Sequence, residues 1–111
     1  MKVAVIGSRG LRVTDFSKYL PDGTTELVSG GARGIDTCAR NYARANGIKI
    51  TEFLPDYTEY GVRAPHIRND QIIKYADHVV AFWDGSSRGT KSVIDKCRAM
   101  GKRMTLYIEK K

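Results

Sequence analysis

The sequence predicts a three-layer α/β domain with a five-stranded parallel sheet in the order 3-2-1-4-5 and helices on both faces, and three observations lead there. Five apolar runs of strand length alternate with segments of helical or turn character, the pattern of repeated strand–helix–strand units. Three of those runs end in a glycine-rich turn containing Arg-Gly: Gly7-Ser8-Arg9-Gly10, Ser29-Gly30-Gly31-Ala32-Arg33-Gly34-Ile35-Asp36 and Asp84-Gly85-Ser86-Ser87-Arg88-Gly89-Thr90. In an open parallel sheet the loops at the carboxyl ends of the strands share one rim, and a ligand crevice opens where the strand order reverses. With right-handed crossovers, this order sets strands one and four at that point and strand two beside strand one, so the three turns converge.

Each element has its own signal. Val3–Ile6 is the first strand. Thr14–Leu20 reads as a short helix with Phe16, Tyr19 and Leu20 on one face, closed by the Pro21-Asp22-Gly23 turn. Glu26–Val28 is the second strand. Ile35–Asn46 is a helix whose Ile35, Cys38, Ala39, Tyr42 and Ala43 fall on one face, and Gly47 stops it. Lys49–Phe53 is the third strand, and residues 55–66 read as a long loop carrying Tyr57, Tyr60 and His66, which serve equally well as a base-stacking lid or as loop anchors. Pro65 suits the first turn of a helix containing Ile67, Ile72, Ile73 and Ala76. His78–Phe82 is the fourth strand, Thr90–Met100 a helix burying Val93, Ile94, Cys97 and Met100, and Arg103–Ile108 the fifth strand.

Composition narrows the function. A chain of 111 residues with 41% hydrophobic content supports one compact domain over residues 1–111. No run is long enough for a membrane span or a signal-peptide core, so no membrane partner is expected and a cytoplasmic location follows. Cys38 and Cys97 lie on apolar helix faces, where cysteine acts as a small hydrophobe. Neither His66 nor His78 has a second metal ligand at useful spacing, so no metal and no cofactor are expected. Lys and Arg number 19 against 12 Asp and Glu, a net charge of +7 that favours anionic partners. Lys96, Arg98, Lys102, Arg103, Lys110 and Lys111 gather around the last helix and the tail, where cations also suit a helix end.

The turns supply the candidate ligand-binding residues. A glycine-rich turn lets the backbone approach a ligand, and the helix behind it offers unpaired N–H groups to an anion. Gly7, Ser8 and Arg9 come from the first turn, and Ser29, Gly30, Gly31, Arg33, Gly34 and Asp36 from the second. Trp83 ends the fourth strand, and Asp84, Gly85, Ser86, Ser87, Arg88, Gly89 and Thr90 follow it. Arg33 and Arg88 are expected to hold phosphate, and Asp36 or Asp84 to contact ribose. Asp36 equally suits its helix dipole and Asp84 an Asx turn. The turns match neither Gly-x-Gly-x-x-Gly nor a Gly-Lys-Ser/Thr phosphate loop, which argues against plain NAD or ATPase chemistry.

Ser29–Asp36, the Arg68-Asn69 pair after a proline-led loop, and Gly89-Thr90 after an apolar strand together resemble the SLOG superfamily of Rossmann-like domains. More narrowly, Gly7-Ser8-Arg9, Gly30–Gly34 and Trp83–Thr90 are similar to its YspA/YpsA-related branch. The resemblance implies binding of a nucleotide or nucleotide-derived, phosphate-bearing ligand at the strand ends, as a sensor or processing domain, and it adds Arg68 and Asn69 to the site. It also implies that a homodimer is possible.

Two relatives give alternatives. Phosphoribohydrolases of the LOG type, which cleave nucleoside monophosphates at the N-glycosidic bond, carry Pro-Gly-Gly-x-Gly-Thr-x-x-Glu with a catalytic glutamate and a separate arginine. Aligned on Gly89-Thr90, this chain has Val93 at the glutamate position, which leaves Arg68, Asp84 and Asp36 as catalytic candidates. The DNA-processing protein A (Smf) family, similar through Ser29–Asp36 and Arg68-Asn69 with Ile72-Ile73, implies single-stranded nucleic acid as the other partner class.

Overall fold

A computed structural model describes residues 1–109, and Lys110 and Lys111 of the basic tail lie outside the described residues. The elements in chain order are β1 (Lys2–Gly7), β2 (Glu26–Ser29), α1 (Ile35–Ala45), β3 (Lys49–Glu52), α2 (Tyr57–Tyr60), a 3₁₀ turn (Gly61–Arg63), α3 (Ala64–Tyr75), β4 (His78–Trp83), α4 (Arg88–Ala99) and β5 (Met104–Ile108). All strand pairings are parallel and the order is β3-β2-β1-β4-β5, as the sequence predicts.

The pleat of β1 divides the core. Val3 and Val5 point to the face covered by α1, where they meet Leu27, Ile35, Ala39, Ala43, Val80 and Phe82. Ala4 and Ile6 point the other way, to Ile72 and Ile73 of α3 and Val93, Ile94 and Cys97 of α4. Burying each of the Val, Leu, Ile and Phe side chains contributes about 1.5–3 kcal/mol, so the two layers together hold the rim of the sheet in place.

The predicted helix at Thr14–Leu20 is absent. The segment makes a single turn, in which the Tyr19 and Leu20 amides donate to the Phe16 carbonyl at 2.9 and 3.1 Å. Seven residues ahead of a proline cannot offset helix nucleation, and the Asp15 carboxylate captures the Ser17 amide at 2.9 Å, a local bond that competes with a helix. Phe16 is nevertheless fully buried, in edge-to-face contact with Tyr42 and Phe82 at 5.5 and 5.6 Å. One aromatic anchor thus does what a helix face was expected to do.

Smaller differences have local causes. Residues 55–66 are not all loop, because Asp56 caps α2 by accepting from the Glu59 amide at 3.1 Å. Ser87 caps α4, which therefore opens at Arg88 rather than Thr90. Met100, expected in the core, is exposed, since α4 ends at Ala99 and Met100 follows the last turn.

The amino ends of the strands carry a polar cluster remote from the turns. The carboxylate of Glu26 accepts from the Tyr75 hydroxyl at 2.6 Å and the Thr51 hydroxyl at 2.7 Å, with Lys49 at 3.7 Å. The Tyr75 hydrogen bond, helped by Thr51 and the lysines, holds the Glu26 pKa below its ordinary 4.5. A depressed carboxylate pKa contributes stability that is present above 4.5 and is lost as pH falls through the folded value. Glu26→Gln should therefore lower the melting temperature at neutral pH and flatten the acid limb of a stability-against-pH profile. An acid limb identical to that of the parent would remove Glu26 from the account.

Candidate ligand site at the carboxyl ends of the strands

The three glycine turns meet, as the strand order requires. They border a cavity of about 550 Å³ between the ends of β1 and β4, closed on the third side by the first turns of α3. Arg9 and Gly10 come from the first turn, Gly30, Ala32 and Asp36 from the second, and Asp84, Ser87, Gly89 and Thr90 from the third. From α3 come Pro65, His66, Arg68 and Asn69.

The glycines let the chain approach itself. A Cβ at Gly7 would stand 2.5 Å from Ile35 Cγ1, so α1 starts directly against the end of β1. Gly34, at φ +77°, lies so close to the first turn that a Cβ would reach the Arg9 carbonyl oxygen at 2.5 Å. At Gly30 a Cβ would meet Arg68 Nη1 at 2.5 Å, which means the guanidinium lies flat on the glycine turn. The bareness of these turns thus serves internal contacts first, and only Gly7 and Gly30 of the three also border the cavity.

Asp36 fills the cradle that the second turn forms. The residue is almost fully buried, and its Oδ2 accepts the Ala32 amide at 3.1 Å. Burial raises its pKa, against the lowering effects of the Ala32 amide, the Arg68 charge and the Gly30 amide. Arg68 donates from Nη1 to the Gly30 carbonyl at 2.7 Å and from Nε to Asn69 Oδ1 at 2.8 Å. Burial lowers the Arg68 pKa, Asp36 and Tyr57 raise it, and the charge of Arg9 lowers it again. Arg9 and Arg68 are therefore near enough to repel one another across the same cavity.

The third turn is tied to the first through hydroxyl groups. Ser8 Oγ accepts the Asp84 amide at 3.2 Å and lies 3.5 Å from Thr90 Oγ1, which receives the Ser87 hydroxyl at 3.3 Å. Asp84 Oδ1 accepts the Ser86 and Ser87 amides at 2.9 and 2.8 Å, the Asx-turn arrangement. Trp83 Nε1 donates to the Ser87 carbonyl at 3.0 Å.

A family model, the YspA, cpYpsA-related SLOG family (YAcAr), matches residues 1–60. The chain belongs to this SLOG family. No curated protein and no solved structure matches it. The matched residues run from β1 through α2 and include the first two turns, whereas Arg68 and the third turn follow them.

Within the SLOG domain the candidate residues divide by position. Gly7, Arg9, Gly30, Asp36, Arg68, Asn69, Asp84, Ser87, Gly89 and Thr90 border the cavity. Ser8, Ser29 and Trp83 stand behind its wall as braces; Ser29 Oγ accepts the Gly31 amide at 3.4 Å. Arg33 and Arg88 are exposed and outside the cavity lining; Gly31, Gly34, Gly85 and Ser86 also lie outside it. Gly10, Ala32, Pro65, Ile72, Ser92 and Val93 were not among the candidates but do line it. Helical spacing was the available signal for Ser92 and Val93, one turn beyond Gly89. Among the described residues no group of three or more His, Cys, Asp or Glu could hold a metal, and no helix is long and apolar enough to cross a membrane.

Proposed function

We propose that this SLOG domain binds a small nucleotide or nucleotide-derived ligand, with phosphate at Arg9 and the amino end of α4 and the sugar toward Asp36 and Arg68. The observation that carries this reading is that Arg9 and Arg68 both line one cavity, because two cations on one lining favour an anion between them. Asp36, held by the Ala32 amide, offsets part of the charge of Arg68 within the second turn, and Asp84 accepts the Ser86 and Ser87 amides. Phosphate is thereby directed away from the Asp36 cradle and toward the β4–α4 turn, where a helix opens and hydroxyls converge. The volume lies within the roughly 300–1,000 Å³ of small-molecule sites. Membership of the family points to the same nucleotide-related class.

Asp36 also favours a second reading, hydrolysis of the N-glycosidic bond of a nucleoside monophosphate by water. A buried carboxyl with a raised pKa beside an arginine suits proton donation to a departing base.

A thermal-shift series with nucleoside mono- and diphosphates, ADP-ribose and inorganic phosphate tests both readings. Ligand at about a hundredfold excess over its Kd should stabilise the native state by about 2.7 kcal/mol. Arg9→Ala should remove the shift and Arg33→Ala should keep it, because only Arg9 borders the cavity. No shift from any nucleotide would sink the binding reading, and free base detected by mass spectrometry would establish turnover.

A further inference from the structure

The part of the cavity contributed by α3 and α4 differs in character from the rim of glycine turns. Pro65, Asn69 and Ile72 follow one another at helical spacing along one face of α3, and Ser92 and Val93 of α4 line the same space. Ile72 and Val93 are buried, so each helix contributes an apolar wall. Lys96 of α4 ties the two helices together, pairing with Asp70 Oδ1 at 2.9 Å and donating to the His66 carbonyl at 3.2 Å. A slot with apolar walls suits a planar, uncharged ring, whereas the arginine and hydroxyl groups of the rim suit the phosphate and sugar of a nucleotide.

Hydrogen bonds fix what this slot can recognise. Arg68 Nε can only donate, so the Asn69 atom that it meets at 2.8 Å is the oxygen, and Nδ2 occupies the other end of the amide. Asn69 lines the cavity, and its Nδ2 makes no hydrogen bond among the described residues. The Arg68 guanidinium commits Nη1 to the Gly30 carbonyl, and among the described residues its Nη2 makes no hydrogen bond either. Two donor-only groups thus come from adjacent residues of α3. The carboxylates of the cavity belong to the turns, Asp36 to the second and Asp84 to the third. His66 and Ser92 can each donate or accept, so they do not set the choice. A pair of donors suits two neighbouring acceptors such as O6 and N7 of a 6-oxopurine, whereas the 6-amino group of adenine would set hydrogen against hydrogen.

We infer that the slot between α3 and α4 holds the base of the nucleotide, and that Asn69, with Arg68 beside it, selects a 6-oxopurine over a 6-aminopurine. This assignment rests on the nucleotide reading of the cavity and names the ligand class within it.

Isothermal titration with IMP and AMP is the test, because the two differ only in the group at C6 and the proton on the neighbouring ring nitrogen. IMP should bind about ten- to a hundredfold more tightly than AMP, the effect of leaving donors unpaired in a desolvated slot. Asn69→Asp keeps an oxygen for Arg68 Nε and puts a second oxygen in place of Nδ2, so it should turn the preference toward AMP. The ratio of the two affinities is the readout, because a loss of local packing would weaken both nucleotides alike. Equal affinities in the parent, or a preference for AMP, overturn the assignment while the cavity reading survives. Ribose 5-phosphate binding as tightly as IMP also overturns it, as does a preference for IMP that persists in Asn69→Asp. If no nucleotide binds, the cavity reading falls and the base assignment falls with it.

Discussion

Phe16→Ala is expected to lower the stability of the domain by about 3–5 kcal/mol, the largest loss from any single truncation discussed here. Phe16 is fully buried and sits where a crossover helix would otherwise cover β1 and β4. Its edge contacts with Tyr42 and Phe82 each add about 0.5–1.5 kcal/mol beyond the area buried. The surrounding segment has few backbone hydrogen bonds of its own, so no regular element remains to refill the space. The melting temperature should fall on the order of 10–20 °C. Phe16→Leu should recover most of it, because much of the volume returns. A fall of only a few degrees for the alanine variant would mean that the 8–25 segment is not part of the cooperative core.

Arg68→Ala should weaken binding of the cavity ligand by roughly ten- to a hundredfold, the worth of one charged hydrogen-bonding group. The guanidinium is fixed by the Gly30 carbonyl and Asn69 Oδ1, so it meets a ligand already oriented. Its removal also withdraws the positive charge that lowers the Asp36 pKa, which should rise further. Arg68→Lys should rescue little, because an ammonium cannot reproduce the planar fork that lies on Gly30. Isothermal titration of both variants with the stabilising nucleotide decides it, and an affinity within twofold of the parent would remove Arg68 from the site.

The strands were legible because a parallel sheet covered on both faces needs continuous apolar runs, and Val3–Ile6 and Val79–Trp83 are such runs. Their order followed from the turns, since 3-2-1-4-5 sets strands two, one and four side by side and brings all three glycine loops together. The 14–20 segment was misread because Phe16, Tyr19 and Leu20 satisfy a helical spacing that only Phe16 uses for deep burial. Met100 was misread by a boundary error of one residue beyond α4. In the site, the Arg-Gly signature located the rim but did not distinguish side chains facing the cavity from those facing out. Arg9 and Arg33 each precede a glycine in their turns, yet only Arg9 borders the cavity. That Asp36 would turn back to accept the Ala32 amide was not legible, because an Asp one residue into a helix is equally placed to face solvent and serve the helix dipole.

The place of β1 in the sheet bears on how the chain folds. This strand opens the sequence yet lies at the centre, pairing with β2 from Lys2↔Glu26 and with β4 from Val3↔His78. Pairings that span such long stretches of sequence must close large loops before they repay the lost chain entropy, which slows folding. During synthesis, a nascent chain that has emerged only as far as α3 already has the Asp36 turn but has only one neighbour for β1 and no β4–α4 turn. The ligand cavity is therefore a late product of folding, completed when the last third of the chain docks against its first strand.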